Sequence, residues 1–123
     1  MTREAVLQVL HRGRPLAVSL PATDQSRFGW IAVYPLDLKR RGSAEFLHRI
    51  GIAILKDDEP IYRIRKFEVK RSLIAENASL SEEDLANKDD SVAIGDDNLE
   101  ARLKQFGVAL EQLDLPFKSE YPI

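Results

Sequence analysis

Phe28-Gly-Trp-Ile-Ala-Val-Tyr34 is the most informative segment of the sequence about the fold, because apolar side chains occupy both of its alternating sets of positions. Successive side chains of a β-strand point to opposite faces of the sheet. Trp30 and Ala32 therefore fall on one face, and Ile31 and Val33 fall on the other. A strand that is apolar on both faces is typical of the centre of a sheet covered on both sides. We expect residues 28–34 to form such a central strand.

Further alternating stretches flank this strand. The alternation of residues 16–20 favours a hairpin with residues 5–9. A helix over residues 3–11 is the competing interpretation, because Val6, Val9 and Leu10 also share a helical face. Residues 46–54 continue the apolar alternation. After the turn-like residues 56–60, residues 61–73 predict a long strand, in which a bulge near Arg65-Lys66 would place one face toward the core. That face would carry Tyr62, Ile64, Phe67 and Val69.

The hydrophobic period changes after residue 74, and helices are expected. Ser81 followed by acids at 82–84 has the pattern of a capped helix start. Asp97 predicts the start of a second helix, which ends at Gly107. The apolar face of this second helix would carry Leu99, Leu103 and Phe106. A last short turn is expected at Leu110 and Leu113.

Length and composition point to one α+β domain over residues 1–123. The chain has 123 residues, of which 44% are hydrophobic, enough to fill a core of that size. We expect an antiparallel sheet of four to five strands followed by short C-terminal helices packed on it. The strand-rich part would span 1–73 and the helical part 74–123. The absence of cysteine excludes a disulfide framework, a cysteine metal site and a thiol nucleophile.

Charge is divided unequally between these two parts. Residues 1–73 contain 14 Lys or Arg and 8 Asp or Glu, whereas residues 74–123 contain 4 and 12. A dense acidic face attracts basic partners and can imitate a phosphate backbone. The alternative is a solvated face whose acids cap helices. The candidate partner-binding residues are Glu82, Glu83, Asp84, Asp89, Asp90, Asp96 and Asp97.

The basic part has two interpretations of its own. Residues 61–71 combine five Lys or Arg with Tyr62 and Phe67, so a nucleic-acid-binding regulator is one hypothesis. The alternation instead favours a core position for both aromatic rings and ion pairs between the basic and acidic parts. Nucleic acid is therefore the less favoured partner.

No local motif predicts catalysis, a cofactor or a metal. His11 and His48 have no ligand spacing with each other, and no Gly-x-Ser-x-Gly elbow or glycine-rich phosphate loop occurs. A small enzyme with an unrecognised site remains an alternative, and it would need His48 in a pocket. No apolar run approaches the ~20 residues that span a bilayer. The sequence predicts a cytoplasmic protein without a membrane partner.

The C-terminal stretch from Leu99 to Ile123, above all Leu113-Asp-Leu-Pro-Phe-Lys-Ser-Glu-Tyr-Pro-Ile123, resembles the ending of small bacterial immunity proteins. These include the immunity proteins that accompany contact-dependent growth inhibition toxins. The resemblance implies a cytoplasmic protein that binds one cognate toxin domain, often a nuclease, and blocks its active site or substrate groove. We therefore expect a non-enzymatic immunity protein whose partner is a basic toxin domain.

Overall fold

The computed structural model describes residues 1–36, 60–75, 80–119 and 121–122. His48 and the alternating stretch 46–54 lie outside these residues. The described elements are α1 (Arg3–His11), β1 (Leu16–Leu20), β2 (Arg27–Leu36), β3 (Ile61–Lys70), α2 (Arg71–Ala75), β4 (Leu85–Ile94) and α3 (Asp96–Gln105). Short 3-10 turns are Glu82–Asp84, Leu110–Gln112 and Pro116–Ser119. Within the described ranges, no helix combines the length and apolarity needed to cross a membrane.

The strands form a four-stranded antiparallel sheet in the order β1-β2-β3-β4. Trp30 of β2 lies opposite Phe67 of β3, and Val33 lies opposite Ile64. Residues 29–33 are all buried, as expected for a strand that is apolar on both faces. The α+β class, the antiparallel sheet and the central strand are therefore confirmed. The helices do not all follow the strands along the chain, however, because α1 precedes β1.

The N-terminal segment is the helix that the sequence left open, and the competing hairpin strand is wrong. Thr2 caps α1, since its Oγ1 accepts a hydrogen bond from the Ala5 amide at 3.1 Å. Val6, Leu7 and Leu10 are buried. These three positions share one face of a helix, whereas a strand would place Leu7 on the opposite face from the other two. The helix therefore buries more apolar surface than the strand would.

The capped start predicted at Ser81 is present as a short 3-10 turn, but the helix expected to continue from it is wrong, because the chain goes on as a strand. Glu82–Asp84 is one 3-10 turn, in which Asp84 Oδ2 accepts a hydrogen bond from the Ser81 amide at 2.9 Å. The chain then pairs with β3 as β4. Leu85 and Ala93 are the buried members of this polar strand, which lies at the sheet edge within the described chain. Backbone pairing with β3 outweighs its low intrinsic strand propensity.

A bulge interrupts the pairing of β3 with β4. Lys66 lies opposite Asp89, but Glu68 lies opposite Ala86, so the extra residue is in β4. Asn87 at this point has a φ of 51°, a conformation that asparagine tolerates better than most residues. The bulge lies near the predicted place but in the neighbouring strand, so it does not return the apolar residues of β3 to one face.

Apolar side chains cover both faces of the sheet. On one face, Tyr62 and Ile64 pack in a cluster with residues of α1, α3 and the turn Leu110–Gln112. On the other face, Phe67 and Val69 pack with Trp30 and Leu85. β3 is thus a second strand with a two-sided core.

The C-terminal part follows the prediction more closely. Leu99 and Leu103 of α3 are fully buried, and Gly107 follows the helix with a φ of 75°. The predicted short turn is present at Leu110–Gln112. Asp114 then pairs with Ala17 at the outer edge of β1 through backbone hydrogen bonds of 2.9 and 3.0 Å. The tail is therefore docked on the sheet.

Candidate functional site

The seven candidate acids fall into two groups that lie at different positions along β4. We call the first group the acidic edge: Glu82, Glu83, Asp84, Asp89 and Asp90. Asp96 and Asp97 lie beyond the other end of the strand, at the start of α3. Ten strand residues extend roughly 30 Å. The structure therefore brings five of the predicted residues to one edge and places Asp96 and Asp97 apart from the turn that carries Glu82–Asp84.

Arginines of β3 neutralise part of the acidic edge. Arg63 donates from Nε and Nη2 to the two carboxylate oxygens of Asp90, both at 2.8 Å. Burial opposes ionisation of Asp90, but the hydrogen bonds and charge of Arg63 outweigh it and hold the pKa of Asp90 below its ordinary value. Arg65 pairs with Glu82, and Lys88 Nζ lies 3.8 Å from the same carboxylate. The charges that are separated along the chain are thus partly paired in space.

Two acids of the edge remain exposed without such a pair. The carboxylates of Glu83 and Asp89 have no hydrogen-bond or ion-pair partner among the described residues, and both residues are exposed. Asp84 instead caps its own turn through Ser81. The unpaired negative charge of the acidic edge is therefore concentrated at Glu83 and Asp89.

The basic strand does not offer the stacking surface that a single-stranded nucleic acid would need. Tyr62 and Phe67 are both fully buried. Arg63 and Arg65 are engaged with carboxylates of the acidic edge. Base stacking requires exposed aromatic faces, so this arrangement supports the core interpretation of both rings.

Glu68 of β3 is a buried acid that the sequence patterns did not single out. Glu68 is 2% exposed, and it accepts hydrogen bonds from the amide and hydroxyl of Thr23 and from Asn87 Nδ2. Burial alone would raise the pKa of Glu68, but these hydrogen bonds and the charge of Arg27 hold it below its ordinary value. The sequence feature that could have identified Glu68 is its position as a single acid between the apolar residues Phe67 and Val69. Glu68 ties the loop after β1 to the bulge of β4 and is structural.

Asp96 lies in a cluster that joins α1, β3 and α3. Its Oδ1 accepts a hydrogen bond from the Tyr62 hydroxyl at 2.6 Å, and His11 Nε2 lies 3.1 Å from both carboxylate oxygens. Burial opposes ionisation, but the hydrogen bonds from Tyr62 and His11 outweigh it and lower the pKa of Asp96. Burial is the main cause that raises the pKa of Tyr62, and the hydrogen bond to Asp96 raises it further. Tyr62 is fully buried, so the sequence pattern showed its core role but not its polar contact.

A cavity of about 440 Å³ lies beside His11 and Tyr62. The other histidine, His48, is outside the described residues, so its proposed place in a pocket stays a prediction. Comparison of the chain with protein-family models, with curated proteins and with solved structures found no match in any of the three.

Proposed function

We propose that this protein is a cytoplasmic immunity protein that binds a cognate bacterial toxin domain, a nuclease, and blocks its active site. The observation that carries the proposal is the acidic edge, which presents exposed carboxylates on β4 and the turn before it, at the edge of the sheet among the described strands. The resemblance of the C-terminal stretch to immunity proteins supports it independently.

The proposed mechanism is occlusion without chemistry. A nuclease binds a polyanion and therefore has a basic substrate groove. Exposed carboxylates at Glu83 and Asp89 would steer such a groove toward β4 and speed association. The paired carboxylates of Glu82 and Asp90 contribute less to the external field, because Arg65 and Arg63 offset their charge.

The partner is identified by affinity purification of the tagged protein from its native cells, with a high-salt wash and mass spectrometry. The proposal predicts one stoichiometric basic protein that stops growth when expressed alone and is neutralised by co-expression. Recovery of nucleic acid, of a protein without toxicity, or of no partner would contradict the immunity function.

The contact surface is tested separately with the double variant Glu83→Lys and Asp89→Lys. Neither carboxylate has a partner among the described residues, so the fold should be unaffected. Association with the toxin at low salt should slow by on the order of tenfold, and its salt dependence should flatten. The matched control reverses two exposed acids elsewhere, Glu4 and Glu111. Equal association rates for both double variants would exclude the acidic edge as the contact surface.

A further inference from the structure

The cavity beside His11 lies at the end of α1, where the chain turns toward β1. Among the described residues, five apolar ones line it, which we call its apolar wall, and the other described lining residues are His11, Arg12, Gly13 and Tyr62; the apolar wall is Leu10, Pro35, Leu36, Pro60 and Ile61. Its volume of about 440 Å³ is within the range of small-molecule sites. The cavity therefore combines an apolar wall with two basic side chains.

Arg12 gives this cavity an unpaired positive charge. Arg3 at the other end of the same helix binds Glu100 and Asp97, whereas Arg12 has no carboxylate partner among the described residues. A helix C-terminus ordinarily presents negative carbonyl oxygens. Here the amides of Arg12, Gly13 and Arg14 donate to the last-turn carbonyls, so these acceptors are satisfied and oppose an anion less.

The His11 ring is held in place by Asp96, since Nε2 lies 3.1 Å from both carboxylate oxygens. Tyr62 donates to the same carboxylate and fixes its position. His11 Nδ1 then remains as the ring's second polar atom, in a residue that lines the cavity.

We propose that this cavity binds a small organic oxyanion, a carboxylate or phosphate attached to an apolar body. The oxyanion is recognised by Arg12, whose guanidinium can donate two parallel hydrogen bonds to it. His11 also lines the cavity. The apolar body packs against Leu36 and Ile61. Asp96 and Tyr62 act as positioning residues, because Asp96 holds the His11 ring and the Tyr62 hydroxyl holds the Asp96 carboxylate. Tyr62 is also one of the residues that line the cavity. This site is separate from the acidic edge and does not depend on the proposed function.

The test uses phenyl phosphate and benzoate as probes and benzylamine as the charge-reversed control, titrated into the full chain by NMR and calorimetry at low salt. At least one of the two anions should bind in the millimolar range and move the His11 ring signals, which are assigned by their loss in His11→Gln. Benzylamine should not bind. Inorganic phosphate should bind less tightly than phenyl phosphate, because it cannot use the apolar wall.

The discriminating variant is Arg12→Gln, with Arg14→Gln as its matched control. Both residues are exposed cations in the same turn, but only Arg12 lines the cavity. Loss of one charged hydrogen-bonding group should weaken binding about tenfold in Arg12→Gln and less than twofold in Arg14→Gln. No binding of either anion, equal binding of benzylamine, or equal effects of the two substitutions would overturn the proposal. Toxin binding should be unchanged in Arg12→Gln, which keeps the two proposals distinguishable.

Discussion

Glu68→Gln tests whether the buried carboxylate, rather than the shape of its side chain, holds the loop after β1 against β4. Oε1 of Glu68 accepts hydrogen bonds from Thr23 Oγ1 at 2.9 Å and from Asn87 Nδ2 at 3.0 Å, and Oε2 accepts one from the Thr23 amide at 3.1 Å. Glutamine keeps the first two bonds if its carbonyl takes the position of Oε1. Its NH₂ group then faces the Thr23 amide, so a donor is left without an acceptor.

The expected cost follows from these contacts. An orphaned donor, together with the loss of charge from the remaining bonds, should lower the free energy of unfolding at pH 7 by about 2–3 kcal/mol. The folded pKa of Glu68 is lowered, so its stabilisation is present above the unfolded pKa of about 4.3 and disappears as the pH falls through the folded pKa. The difference between wild type and Glu68→Gln should therefore shrink on acidification.

Urea denaturation followed by circular dichroism at pH 7 and pH 3 measures both effects. Glu111→Gln is the matched control, because Glu111 is exposed and its substitution should change stability by less than about 0.5 kcal/mol. A Glu68→Gln cost as small as the control, or an equal cost at both pH values, would refute this account of the buried carboxylate.

Two further substitutions test the helical layer by the same denaturation assay. Leu103→Ala should lower the free energy of unfolding by about 2–5 kcal/mol, since Leu103 is fully buried in the cluster under α3; a loss below ~1 kcal/mol would contradict that packing. Gly107→Ala should cost about 1–2 kcal/mol, because its φ of 75° places a Cβ in a left-handed backbone. Gly107→Asn should cost less than Gly107→Ala, and the reverse order would contradict the backbone explanation.

Helix α1 shows where sequence periodicity is ambiguous. Val6, Leu7, Val9 and Leu10 satisfy both a helical face and part of a strand alternation over such a short span. Tertiary packing resolves the choice, because the helix directs Val6, Leu7 and Leu10 into one cluster with Ile64 and Leu103. Local propensity alone does not contain this information.

Strand β4 is harder still to predict from the local sequence. Its residues are mostly polar, and acids after Ser81 are a regular helix-start pattern. Ion pairs such as Arg63–Asp90 and backbone pairing with β3 stabilise the strand, and both require partners that lie outside the local segment. The cluster of His11, Tyr62 and Asp96 likewise joins residues from three distant segments, so no local spacing predicts it.

The class of the fold, the central strand at residues 28–34 and the helix that carries Leu99 and Leu103 can be predicted from the sequence, because each depends on a hydrophobic period within one segment. Which charges are exposed depends on how distant segments pack together. The long acidic and basic segments lie side by side in β3 and β4, so Arg63 and Arg65 offset Asp90 and Glu82. Coulomb interactions depend on distance in space and not on separation along the chain.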